Sequence, residues 1–202
     1  MTKRITISTL DAMKASGDKF VMITAYDATF ARLASEAGAE TILVGDSLGM
    51  VLQGHETTIP VSLNAMVYHT ECVARAKPRS LIVADLPFMS FSNSDDALHA
   101  STQLMQAGAQ MVKLEGGTWL SDSINRLVER GVPVCAHLGL TPQSVNVFGG
   151  YRVQGRTPKE AKSILADAVE IQDAGASLLV LECIPAELAG DIASKLDIPV
   201  IG

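Results

Sequence analysis

Cysteine is scarce in this sequence, and the few thiols present, Cys72, Cys135 and Cys183, are odd in number and include no CxxC pair. That excludes a disulfide framework and a zinc ribbon, and leaves reduced thiols and a cytoplasmic location as the expectation. No apolar run is long enough to span a bilayer. The first twenty residues, Met1 to Phe20, scatter their charges and lack the apolar stretch of a signal peptide. Positive charge is also lacking: the formal net charge is −6, without a basic stripe, which argues against nucleic acid or an anionic membrane as partner. Aromatics make up only 4% of a chain that is 48% hydrophobic. Ala, Val, Ile, Leu and Gly fill that space, as suits helices packed on buried parallel strands. With 19% charged residues, the chain reads as an acidic globular enzyme of small metabolites rather than a disordered protein.

Short apolar runs alternate with longer amphipathic segments. The runs are Phe20–Ala25, Thr41–Gly45, Leu81–Ala84, Met111–Leu114, Val132–Ala136, Leu178–Leu181 and Ile198–Ile201. Most are rich in Val and Ile and bounded by Gly, Pro or charge, as buried strands are. Segments such as Asp95–Ala107 and Pro158–Ala174 carry apolar residues at helical spacing. A weak repeat accompanies the alternation. Ala37-Gly38-Ala39, Ala107-Gly108-Ala109 and Ala174-Gly175-Ala176 each precede a strand that runs on to an acid. Each Gly reads as a helix C-cap. Seven βα-type units over residues 1–202 predict one α/β domain, a (β/α)8 barrel without its last unit. A doubly wound open sheet competes, but no GxGxxG follows the first strand. Ile7–Ala15 predicts a short helix that plugs the barrel floor.

Strand after strand ends in a polar or charged residue: Asp27, Asp46-Ser47, Asp85, Lys113 and Glu115, His137, and Glu182. In a parallel barrel these ends converge on the face where active sites form. Asp27 alone is explained by helix capping. The clustered acids repel one another unless a cation or proton intervenes. Asp46 and Asp85, without His or Cys partners, are candidate ligands for a hard cation, most simply Mg2+; two N-caps are the alternative. Lys113 and Glu115 lie two apart, so they share a face. There Lys113 stabilises a developing enolate or holds a carboxylate, Glu115 joins the metal shell, or the two form a structural ion pair. Cys135 and His137 also share a face, but zinc needs more N or S ligands than they offer. His137 is read as lining the site and binding substrate, with a satisfied core histidine as the alternative, and Cys135 and Cys183 as packing thiols. His55 and His69 are expected in loops or at the surface. Glu182 is a candidate general base, with metal ligation or structural pairing as the alternatives. The loop Gln143–Arg156 either closes over a substrate, with Arg152 or Arg156 meeting an anion, or is plain surface. Gly45–Gly49 is Gly-rich but lacks the Walker pattern.

Long stretches of the chain have a familiar form. The segment ITAYDATFARLASEAGAETILVGDSLGMVLQGHETTIPV, then ADLPF (Ala84–Phe88), VKLEGG (Val112–Gly117), HLGLTPQSVNVFGGYRVQGR (His137–Arg156) and LVLECIP (Leu179–Pro185) follow one another. In that order they resemble the ketopantoate hydroxymethyltransferases over nearly the whole chain. The resemblance implies a (β/α)8 barrel of the phosphoenolpyruvate/pyruvate superfamily. It implies one Mg2+ per subunit held through Asp46, Asp85 and Glu115, and 2-oxo acid binding by Asp46, Ser47, Asp85 and Lys113. It further implies a proton acceptor at Glu182, 5,10-methylenetetrahydrofolate as one-carbon donor, a step in pantothenate synthesis and a homo-oligomer, a decamer. The sequence stops at Gly202, where the family continues through an eighth strand; barrel closure is therefore expected to be incomplete. Another superfamily lyase or mutase is the alternative, but the catalytic-Cys loop typical of that class, KKCGH, is absent. A non-catalytic 2-oxo-acid-binding protein is the other.

Overall fold

The computed structural model describes residues 4–202. All seven expected strands are present: β1 (Met22–Thr24), β2 (Thr41–Val44), β3 (Leu81–Asp85), β4 (Met111–Glu115), β5 (Val134–Gly139), β6 (Leu178–Glu182) and β7 (Val200–Ile201). Every neighbouring pair is parallel, and the order follows the chain from β1 to β7. Sequential parallel pairing curls the sheet into a nearly closed barrel. Helices connect the strands: α1 (Ile7–Ser16), α2 (Ala28–Glu36), α3 (Leu48–Val51), α4 (Leu63–Arg75), α5 (Ser94–Ala107), α6 (Ser121–Glu129), α7 (Val145–Phe148), α8 (Pro158–Asp173) and α9 (Ala186–Lys195).

Local sequence sets the helix ends. Asp27 caps α2, accepting from the amides of Thr29 and Phe30, and this is its role: it is exposed and lies outside the cluster described below. Thr157 and Glu160 form a capping box at α8. Gly38, Gly108 and Gly175 all adopt left-handed backbone, with φ of 102°, 112° and 106°, as the repeat predicts.

The strands sort their side chains between two cores. Ile82, Ala84, Val112, Leu114, Val134 and Leu179 face outward and join the helices. Leu81, Val83, Met111, Cys135 and Leu178 face inward. Leu10 of α1 enters that inner cluster, so the N-terminal helix does plug the floor. Among the described residues β1 and β7 are the sheet's two edges. A cavity of about 440 Å³ lies beside them, lined by Phe20 and Val200 among others, and the Lys14 ammonium spans it to donate to the Ala193 carbonyl at 2.6 Å.

Candidate active site

Period-two alternation delivers the chemistry. On β4, Val112 and Leu114 pack outward, so Lys113 and Glu115 must point into the barrel. Register then places Asp85 beside Lys113 and Glu115 beside His137. Asp46 and Ser47 follow the end of β2. The turn depends on Gly45, where a Cβ would come within 2.8 Å of the Ser47 hydroxyl. Gly139 ends β5 with φ +90°, and a Cβ there would sit 2.3 Å from the Glu182 carbonyl oxygen. Neither position accommodates a side chain without moving the site.

The cluster is dense and mostly buried. Asp46, Asp85, Lys113, Glu115 and His137 are all buried. The Lys113 ammonium lies 2.7 Å from Asp85 Oδ1 and 3.8 Å from Glu115 Oε1. The Asp46 amide donates to Asp85 Oδ2 at 3.1 Å, and the Tyr26 and Ser47 hydroxyls are bonded at 2.9 Å. His137 has Nδ1 at 3.4 Å from Glu115 Oε1 and Nε2 at 3.4 Å from Glu182 Oε2, both without regular hydrogen-bond geometry. Glu182 differs from the others: 43% of its side chain is exposed.

Three buried carboxylates face one ammonium, and ionisation responds to that imbalance. Burial and then the adjoining Asp85 carboxylate push Asp46 up to about 7. Burial also raises Asp85, despite the opposing pull of Lys113. Burial works against the Lys113 charge, but Asp85, Glu115 and Asp46 outweigh it and hold the ammonium protonated. The same excess of negative charge thus raises both members of the pair. Burial would raise Glu115 too, yet contacts from His137, Lys113 and the Gln143 amide hold it below the usual range. Burial and Lys113 lower His137, and its two carboxylate neighbours reverse the sign.

Gln143 has a part in the site that sequence reading did not give it. Its backbone amide donates to Glu115 Oε2 at 3.0 Å. Its side-chain amide donates to Asp46 Oδ2 at 2.8 Å and to the Leu86 carbonyl at 2.9 Å. The only cue was its place in a turn directly after β5. Gln143→Ala leaves a buried carboxylate and a buried carbonyl each short of a donor. The expected cost is about 2 kcal/mol, read as a lower urea midpoint at unchanged slope.

Above the cluster lies a cavity of about 290 Å³ that reaches Asp46, Ser47, Asp85, Lys113, Glu115, His137 and Glu182. These seven residues therefore share one space. Tyr151, not Arg152 or Arg156, is the residue of the 143–156 loop that joins them. Its hydroxyl reaches Met50 Sδ at 3.4 Å, while both arginines are exposed and neither lines this cavity. His69 also departs from expectation: it sits half-buried on α4, with Nδ1 2.8 Å from the Tyr26 carbonyl. Cys183 is exposed rather than packed, because it follows the inward Glu182 with φ +48°. Cys135 is buried, and that burial pushes its thiol up to about 12. At pH 8 a maleimide should label Cys183 rapidly and leave Cys135 untouched in the folded protein, as peptide mass spectrometry would record; labelling of Cys135 first would contradict this packing.

Among the described residues no three His, Cys, Asp or Glu side chains are grouped to hold a metal ion by themselves. The donor chemistry nonetheless fits a hard divalent cation. Asp46 and Asp85 are oxygen donors with charge in excess of their one ammonium, and a cation such as Mg2+ binds through one or two carboxylates, keeping its remaining positions for water and substrate.

The family model for ketopantoate hydroxymethyltransferase matches residues 4–202. The chain belongs to that family. A 3-methyl-2-oxobutanoate hydroxymethyltransferase from Shewanella sediminis is 59% identical over 199 residues, 98% of this chain and 75% of that protein. The enzyme of that name from Marinobacter nauticus is 58% identical over 98% of this chain and 75% of its own length. Structural likeness reaches further. A 2,3-dimethylmalate lyase of the phosphoenolpyruvate mutase/isocitrate lyase superfamily superposes with a TM-score of 0.69 at 18% identity, covering 96% of this chain and 70% of that one. A phosphonopyruvate hydrolase solved with oxalate and Mg2+ gives 0.68 at 16% identity, covering 97% and 80%. These two share the fold with this ketopantoate hydroxymethyltransferase family member. No helix among its described residues is long and apolar enough to cross a membrane.

Proposed function

We infer that the chain transfers a hydroxymethyl group to 3-methyl-2-oxobutanoate, giving 2-dehydropantoate for pantothenate synthesis through an enolate. One observation carries the chemistry: three buried carboxylates surround one ammonium, and a fourth carboxylate, Glu182, stands at the open side of the same cavity. A short 2-oxo acid offers vicinal carboxylate and keto oxygens for the charged wall and an acidic C3–H for the exposed base.

Asp46 and Asp85 are the residues that would hold one Mg2+ per subunit. Glu115 belongs to the same set, although its oxygens already face Gln143, Lys113 and His137. When bound, the ion supplies Lewis-acid polarisation of the keto group, which acidifies C3. Lys113, fixed by Asp85, keeps a positive charge where negative charge grows on the enolate oxygen. Ser47, held by the Tyr26 hydroxyl, and His137 orient the oxo acid. Glu182 takes the C3 proton, with the His137 ring beside its carboxylate. The enolate carbon then bonds to the one-carbon unit of 5,10-methylenetetrahydrofolate; both C–N bonds to that carbon break, water supplies the hydroxyl oxygen, and tetrahydrofolate leaves.

The same reading treats residues 1–202 as one barrel domain in a cytoplasmic homo-oligomer, a decamer; exposed Phe30, Leu33, Val51 and Leu52 support assembly. Two measurements test the function. Ketopantoate should form from 3-methyl-2-oxobutanoate, methylenetetrahydrofolate, water and Mg2+, and superfamily substrates such as phosphonopyruvate should not be turned over. The C3 hydrogen should exchange in D2O without folate, which a mere 2-oxo-acid-binding protein would not do.

A further inference from the structure

We propose that Val180 and Leu43 decide which 2-oxo acids the site accepts, by sizing the space for the two substituents on C3. The proposal rests on the function inferred above. Val180 and Glu182 are two apart on β6, so both face inward, with Val180 one layer deeper by about 7 Å along the strand. A carbon placed for Glu182 to deprotonate stands over Val180. Register sets Val180 beside His137 on one side and Ile201 on the other. Leu43 pairs with Thr24 and Val83.

Both side chains are half-buried, and both line the 290 Å³ cavity. They are packed on the inner apolar cluster. The other inward apolar residues, Val83, Met111 and Cys135 among them, are fully buried and do not reach the cavity. The cavity therefore has a charged wall from the ends of β2 to β5 and an apolar floor whose upper surface is Val180 and Leu43. An oxo acid that turns its two oxygens to the wall turns its C3 methyl groups to that floor. Neither residue carries a polar atom that could assist proton transfer, so their effect is on fit. A single methylene too many or too few in such a floor changes transition-state binding by roughly 10–200-fold.

The test is C3 exchange in D2O with Mg2+ and no folate, which reads fit separately from one-carbon transfer. Three acids are compared: 3-methyl-2-oxobutanoate, 3-methyl-2-oxopentanoate with one methylene more, and 2-oxobutanoate with one methyl less. Val180→Ala should raise kcat/KM for the larger acid relative to 3-methyl-2-oxobutanoate by about tenfold or more. Leu43→Ala should move the ratio the same way, which guards against one variant failing to fold. Val180→Ile should shift preference toward 2-oxobutanoate. Leu81→Ala, deeper on β3 in the same inner cluster, weakens packing without touching the cavity and should leave the ratios unchanged. Unchanged ratios in the Val180 and Leu43 variants, with exchange of 3-methyl-2-oxobutanoate intact, would overturn the assignment. An equal shift in Leu81→Ala would overturn it as well, since general loosening would then explain the effect. No exchange by the parent protein with any of the three acids would overturn the function itself, and the specificity with it.

Discussion

Replacing Glu182 with Gln is expected to slow exchange of the C3 hydrogen of 3-methyl-2-oxobutanoate by roughly 10²–10⁴-fold, the range for a positioned acid–base group. The substitution keeps the shape at the end of β6 and removes the group that takes the proton. Substrate affinity should change much less, because Lys113, Asp85 and Asp46 lie on the charged wall and not around Glu182. The experiment needs only D2O, Mg2+ and the oxo acid, so it is blind to any defect in folate binding. A Glu182→Gln protein that exchanges at the parent rate would move the base elsewhere. His137 would be the next group to test, since its Nε2 lies 3.4 Å from the Glu182 carboxylate.

Asp85→Asn should raise the Mg2+ concentration needed for half-maximal exchange by at least about 100-fold. Residues that only support a metal ligand typically cost 10–100-fold when changed, so a ligand itself should reach the upper end of that range or pass it. Asn is the better substitution because it keeps an oxygen to accept from the Lys113 ammonium, which Asp85 Oδ1 does at 2.7 Å. Asp85→Ala would break a buried ion pair outright and cost about 3–5 kcal/mol of stability. That loss would confuse poor folding with poor metal binding. Glu115 stays within 3.8 Å of the ammonium and should keep the Asn variant folded, which urea unfolding without metal can check. Unchanged Mg2+ dependence in a folded Asp85→Asn protein would remove Asp85 from the metal set.

Much of this was legible from order and period alone. Seven short apolar runs, most of them rich in Val and Ile, gave seven parallel strands. Three Ala-Gly-Ala signals marked three left-handed glycines, because few residues other than Gly adopt that backbone without strain. Alternation on β4 was enough to put Lys113 and Glu115 on one face. Boundaries were less legible: Phe20–Ala25 contracts to Met22–Thr24, and Val132–Ala136 shifts to Val134–Gly139. A strand's ends are set by which neighbour it pairs with, not by its own composition. Cys183 was misread because an apolar-looking residue after a strand end follows the backbone turn, and that turn faces it outward.

By itself the sequence determined the fold class, the family and the set of acids that gather at one barrel mouth, because those follow from local pattern and from long motifs kept in order. What only the tertiary structure decided is who touches whom. Gln143 reaches Asp46 across 97 positions of chain, and no local pattern encodes a contact between a turn after β5 and the end of β2. The two nitrogens of His137 lie between Glu115 and Glu182 because β4, β5 and β6 are adjacent and in a fixed register. The raised pKa of Asp46 likewise comes from burial beside Asp85, a consequence of packing that neither residue's sequence neighbours could impose.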